Sequence, residues 1–362
     1  MKRNLKHGIM LSKFFLRATK HFSPTNVIIY PGYLSMSYRI IILIFWSSLV
    51  LSAQTTKPDI LTHTYSIVAR DSVTGDIGVA VQSHWFSVGS VVSWAEPGVG
   101  AIATQSLVNV SFGPRGLTLL KEGKTASEVL NALIQDDDGR EFRQLAIIDK
   151  SGNVAAFTGK KCIQDAGQII GKNFSVQANM MLNKKIWPAM AVAFKKSSGP
   201  LAERMVEALK AGEAAGGDIR GQQSAAIIVV RGSSTGKLWE DRLVDLRVED
   251  HPQAVKEIDR VLKVHRAYEH MNRGDLAIES GDEVKALKEY SAAEKMFPEN
   301  IEMKYWHAVS LANLGRIEDA LLMFKQVFVQ DPNWIELTKR LVPNGLLTVD
   351  EETLGKIVNV SY

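Results

Sequence analysis

Between Thr64 and Thr104 four short apolar runs, at 65–69, 77–82, 88–93 and 99–104, follow one another with no space between them for a helix. Residues 71–76, with Gly75, and Glu96-Pro97-Gly98 supply turn chemistry between runs, as expected for successive strands. Helical periodicity follows at 115–121 and 125–135, where Thr125 and Glu128 form a capping-box pattern. A second hairpin is predicted from 145–148, a turn at 149–153, and 154–157. A strand at 174–177, helices at 179–194 and 201–210, and strands at 225–230 and 243–248 complete the series. Strands clustered in this way predict an α+β fold of antiparallel sheets with helices outside, not a doubly wound parallel sheet. Gly75, Gly78, Gly98 and Gly100 sit at turns without the strand-loop-helix context of a phosphate cradle.

The net charge of +4 is misleading, because residues 1–53 hold seven Lys and Arg and no Asp or Glu, and removing them leaves −3. A mildly acidic remainder offers no basic footprint, so nucleic acid and anionic lipid are not expected partners. Behind Arg39, residues 40–53 are largely apolar and end in Ser52-Ala53. This run falls short of the ~20 residues of a membrane span and fits a signal-peptide core cleaved after Ala53. Export to the periplasm or beyond the cell is therefore expected, with Met36 read as the true start; an anchor or cytoplasmic extension is the rival reading of the upstream residues. Cys162 is the one cysteine. It allows no intramolecular disulfide and reads as a small packed apolar residue. Cys and His do not cluster at ligand spacing, and neither metal nor cofactor is expected.

The last third changes character. Gly281, Ala286, Tyr290 and Pro298 recur 34 residues later as Gly315, Ala320, Phe324 and Pro332. That period, with small residues where helices cross, resembles the tetratricopeptide repeat. Gly274 stands at the close-approach position of the first repeat and Ala308 at that of the second, and the usual leading Trp is absent from both. Two repeats bury little alone. A helix at 253–265 is expected to join them to the main domain, and one at 334–341 to cap them. The domain reading is an upstream extension and signal at 1–53, a leader at 54–63, the main domain at 64–251, a connecting helix at 252–266, two repeats at 267–334, and a cap and tail at 335–362.

The motifs of the main domain carry a resemblance. Tyr65-Ser66-Ile67-Val68-Ala69-Arg70-Asp71, Gly78-Val79-Ala80-Val81, Gly98-Val99-Gly100-Ala101, Ala103-Thr104-Gln105 and Phe112-Gly113-Pro114-Arg115-Gly116-Leu117 stand in its first half. Phe174-Ser175-Val176-Gln177, Gly216-Gly217-Asp218, Arg220-Gly221, Gln223-Ser224-Ala225-Ala226 and Asp241-Arg242-Leu243-Val244-Asp245-Leu246-Arg247-Val248 follow in order. Together they resemble the DUF1028 family from Thr64 to His251. The resemblance implies an N-terminal nucleophile hydrolase-like fold, a four-layer αββα sandwich of two antiparallel sheets. It supplies no substrate, and fold alone licenses no activity.

A threonine freed as the first residue of a chain carries nucleophile and base together, its hydroxyl attacking while its amine takes the proton. Thr64 opens the first strand, where related-fold hydrolases hold their nucleophile. Signal cleavage would leave residues 54–63 in front of it, and His63 stands where self-cleaving relatives often have a small residue. Thr64 also reads as an ordinary β-branched strand residue. Ser83 and His84 end the neighbouring strand, His84 being a proton-exchange candidate or a hydrogen-bonded surface group. Asn179 reads either as an oxyanion donor or as a helix N-cap. Asp218, Arg220 and Ser224 are candidates for orienting the nucleophile and binding substrate, with an Asp-Arg loop pair as the plain alternative. Ser106 and Asn109 are candidate pocket residues that turn chemistry also explains.

The sequence thus predicts an exported hydrolase of a small amide or peptide bond, with residues 267–334 holding a protein partner. A non-catalytic envelope scaffold is the rival, and a hydrolase using unprocessed Ser83 and His84 a third reading. Oligomeric state is open, a homo-oligomer included.

Overall fold

The central strands are buried along almost their whole length because both of their faces are covered. Residues 60–62 and 64–360 are described in the computed structural model; the expected signal at 1–53 and the remainder of the 54–63 leader lie outside the described residues. Strands β1 (Ile60–Thr62), β4 (Ser93–Glu96), β5 (Gly100–Val108), β6 (Arg143–Asp149) and β7 (Val154–Thr158) form one antiparallel sheet. In it β5 carries β1 and β4 on one edge and β6 on the other, with β7 beyond β6. Strands β2 (Thr64–Arg70), β3 (Ile77–Ser83), β8 (Gly167–Gly171), β9 (Phe174–Ala178), β10 (Ser224–Val230) and β11 (Arg242–Val248) form the second, ordered β11-β10-β3-β2-β9-β8.

The two faces of each strand pack against different layers. Val68, Val79, Val81, Ala101, Ala103, Ala146, Ile148, Ala226 and Ile228 meet between the sheets. The alternate residues Ile102, Leu145 and Ile147 pack under helices α1 (Phe112–Lys121) and α2 (Ala126–Gln135). On the far side Tyr65, Ile67, Val176 and Ile227 pack under α3 (Ile186–Lys196) and α4 (Leu201–Ala214). Helix α2 starts as its sequence predicts: the Thr125 hydroxyl accepts from Glu128 N at 3.3 Å, and Glu128 accepts from Thr125 N at 2.8 Å.

Three differences from the sequence reading bear on the region around Thr64. The 88–93 run is a short 3₁₀ turn at Val88–Ser90 followed by β4, because the Val88 N–H is claimed by Ser224 Oγ. Helix α3 begins at Ile186 rather than 179, since the Asn179 N–H is drawn to the Thr64 carbonyl and the residues between run as loop. Strand β8, bounded by glycines, was not expected and pairs with β9 at the sheet edge.

After α5 (Leu238–Asp241) and β11, the 26-residue helix α6 (Ala254–Glu279) belongs to two cores. Ala254, Val255, Ile258 and Leu262 pack on the sandwich. Ala267, Met271 and Ala277 pack with Tyr290 of α7 (Glu283–Met296). Helices α8 (Ile301–Asn313) and α9 (Ile317–Gln330) form the next hairpin, followed by α10 (Asn333–Leu341) and α11 (Glu351–Val358). Among the described residues no helix is long and apolar enough to cross a membrane.

A Cβ at Gly274 would lie 2.4 Å from Tyr290 Cε1, closer than packed atoms allow. Gly274→Ala is expected to lose about 1–3 kcal/mol by overpacking, outweighing the ~1 kcal/mol that alanine gains in a helix, and to lower the thermal midpoint followed by circular dichroism. The Asp71 carboxylate accepts from Val73 N at 2.8 Å, Thr74 N at 2.9 Å and Arg204 Nη1 at 3.2 Å. Burial raises its pKa, but those N–H donors and the Arg204 charge together hold it below the ordinary carboxylate value. Its stabilisation is therefore full above about pH 4 and is lost as pH falls through the lowered value. Asp71→Asn is expected to flatten that acid limb in a pH series of thermal melts.

Candidate functional site

Thr64 opens β2 opposite Ser83, the last residue of β3, and Ser83 lies opposite Ser224, the first of β10. Antiparallel register thus aligns three hydroxyl residues in one row, all buried. The Thr64 hydroxyl donates to Ser83 Oγ at 3.3 Å. The Thr64 carbonyl accepts from Asn179 N at 3.1 Å, Gln105 Nε2 at 3.3 Å and Asn179 Nδ2 at 3.4 Å. These donors fix the residue from both sheets.

Behind Thr64 the interior changes from apolar to amide-lined. The Ser175 hydroxyl donates to Gln177 Oε1 at 3.0 Å, Gln177 Nε2 to Ser66 Oγ at 2.5 Å, and Ser66 Oγ to Gln105 Oε1 at 2.6 Å. Gln105 Nε2 donates in turn to Gln144 Oε1 at 2.5 Å, where Asn179 Nδ2 also donates at 2.9 Å. Gln144 Nε2 continues to Thr158 Oγ1 at 2.8 Å and the Ala178 carbonyl at 2.9 Å, and Thr158 Oγ1 donates to Gln168 Oε1 at 2.7 Å. The chain crosses from the six-stranded sheet to the five-stranded one and back.

The remaining candidates divide. Ser224 turns toward the segment after β3, donating to the Trp85 carbonyl and accepting from Val88 N at 3.0 Å. The His84 Nδ1 atom is buried without a hydrogen-bond partner among the described residues. Both Asp218 carboxylate oxygens are held by Arg220, through Nε at 3.0 Å and Nη2 at 2.7 Å, the Asp-Arg loop pair that the sequence also allowed. Asn109 receives the Ser111 N–H at 3.2 Å and hydroxyl at 2.8 Å, forming the entry to α1. Ser106 is buried with φ of +74°. A non-glycine residue held there stores about 1–3 kcal/mol and persists only where its surroundings over-determine it. Burial pushes the Cys162 thiol up, only partly offset by the Ser106 hydroxyl and the Gly159 N–H, the opposite direction from an activated thiolate. Among the described residues no three His, Cys, Asp or Glu side chains converge on a metal position.

Gln105, Gln144 and Ser66 escaped the sequence reading as site residues. Their signal was phase: Gln105 alternates with Ala101 and Ala103, Gln144 with Ala146 and Ile148, and Ser66 with Val68, all facing the other sheet.

Residues 64–258, more than half of the sequence, match the family of unknown function DUF1028. The chain belongs to that family. A crystal structure of a Silicibacter pomeroyi protein assigned to DUF1028 is 31% identical with a TM-score of 0.51, covering 56% of this chain and 85% of its own. The ancestral β-subunit (Anbu) of Yersinia bercovieri, 15% identical with a TM-score of 0.28 over 54% of this chain and 92% of its own, is too distant to inform the site. Among curated proteins, none matches.

Gln144→Ala would leave the buried Gln105 and Asn179 donors without their shared acceptor, at about 1–3 kcal/mol for each group left unpaired. Urea denaturation is expected to show a loss of roughly 2–4 kcal/mol, well above an exposed glutamine replacement in the same protein.

Proposed function

We propose that this protein is a hydrolase of small amide or peptide bonds, with an N-terminal nucleophile-type fold and Thr64 as the nucleophile once the bond after His63 is cut. The observation that carries the reading is the fixing of Thr64: its hydroxyl bonds Ser83 at 3.3 Å while three N–H donors from two sheets hold its carbonyl. Such a preset geometry suits an attacking group. The freed α-amine would take the hydroxyl proton as Oγ1 attacks the substrate carbonyl carbon. The tetrahedral adduct would collapse by breaking the C–N bond, the leaving amine taking that proton, and water would then hydrolyse the Thr64 ester. Asn179, bonded to the Thr64 carbonyl and to Gln144, suits a positioning role better than oxyanion binding. Export with cleavage after Ala53 and a tetratricopeptide-like partner module in the C-terminal hairpins belong to the same reading. The module is supported by the 34-residue recurrence and by Gly281 and Gly315 ending helices with φ of +75° and +74°.

A second reading has its own observation. Strand β1, two residues before Thr64, pairs Ile60 with Val108 and Thr62 with Ser106. A leader built into the sheet favours a non-catalytic envelope scaffold in which Thr64 stays covered. N-terminal sequencing of the mature protein from its native host separates the two: Thr64 is expected first, and a start at Gln54 with full biological activity removes the hydrolase mechanism. Thr64→Ala is expected to lower activity about 10³-fold or more, whereas in a scaffold it changes nothing and deletion of residues 267–334 abolishes function.

A further inference from the structure

The C-terminal helices enclose a groove of about 460 Å³ lined from α6, α7 and α8, within the ~300–1,000 Å³ common to ligand sites. Its walls are aromatic. Trp306 stacks on Tyr290 with centroids 6.5 Å apart and planes at 25°, and Tyr268 supplies a third ring. Its charges are all of one sign: Asp275 and Glu302 line it, and no Lys, Arg or His does. Each carboxylate accepts from a tyrosine, Asp275 from Tyr290 Oη and Glu302 from Tyr268 Oη, both at 2.7 Å. A phenol hydroxyl orients a carboxylate without neutralising it. A separate observation lies on the same lining, where Ser310 is 1% exposed and its hydroxyl has no hydrogen-bond partner among the described residues.

These features select among ligands. A neutral apolar molecule would leave the Ser310 hydroxyl without a partner and the charge of both carboxylates uncompensated. A bare divalent cation wants six or more oxygens and gains little from aromatic walls. A planar cation with several N–H donors answers every feature: it stacks on Trp and Tyr faces, pairs with carboxylates through its fork, and reaches a hydroxyl with another donor. We infer that this groove binds a guanidinium group, presented either by an arginine side chain of a partner or by a free arginine-like molecule. The inference rests on reading the C-terminal helices as a binding module and is independent of chemistry at Thr64.

Isothermal titration calorimetry of the full chain with N-acetyl-arginine amide tests it, with N-acetyl-citrulline amide as the neutral isostere. Saturable binding of the arginine compound is expected, at least about tenfold tighter than citrulline, and Glu302→Gln or Asp275→Asn is expected to weaken it about fivefold or more. Absence of saturable heat, equal affinity for citrulline, or unchanged affinity in the double variant overturns the inference. Circular dichroism of the variants separates lost binding from lost folding, and Thr64→Ala should bind as tightly as the parent. An arginine-containing tetrapeptide identifies the source, since tighter binding than the amide assigns a partner's side chain and equal affinity a free small cation.

Discussion

The buried amide chain between the sheets is the constraint on which the rest of the sandwich depends. Gln105, Gln144 and Gln177 are fully buried, and each donor or acceptor they bring inside needs a partner there. Their partners lie on the opposite sheet as often as on their own. A slip of one residue in β5 or β6 would turn these side chains outward and bring Ile102 or Leu145 inward, so the network and the alternation demand the same register. Polar matching adds direction to what an apolar interior would leave adaptable.

That register also explains where Thr64 sits. It occupies the border at which the apolar interior gives way to amides, so its side chain meets a hydroxyl and its carbonyl meets amide donors. On β5 one edge is shared, β4 taking Gly100 to Ala103 and β1 taking Ser106 to Val108. Ser106, with its left-handed backbone, faces both β1 and Arg143 of β6. The strained residue therefore lies where β1 joins the sheet, opposite Thr62.

Much of this architecture was legible in the residues. Short apolar runs with turn separators marked the antiparallel strands, and Thr125 and Glu128 announced the start of α2; Gly281 and Gly315 were read only as members of the 34-residue recurrence, and their place just past helix ends came from the structure. The polar interior was less legible because a strand glutamine reads the same whether it faces water or another glutamine. Only its phase with Ala103 or Ala146 distinguishes the two, and its partner is far along the chain. Loop 179–185 was read as helix because nothing local reveals that Thr64, 115 residues earlier, claims the Asn179 backbone N–H. Asp218 and Ser224 were placed near the right strands, yet which way each turns is decided by Arg220 and by the Trp85 backbone.

Helix α6 has a consequence of another kind. Its first half is sandwich core, its second half is hairpin core, and near the junction Arg266 clasps Glu203 of α4 at 2.7 and 3.1 Å. No linker separates the two cores; one rod of 26 residues, ~39 Å long at ~1.5 Å per residue, serves both. Such a rod keeps phase like a toothed shaft. Adding one residue between Leu262 and Ala267 would turn everything beyond it by ~100°. Drift in the groove can therefore proceed by substitution, while the length of α6 can change without reorienting the hairpins only in steps close to whole turns.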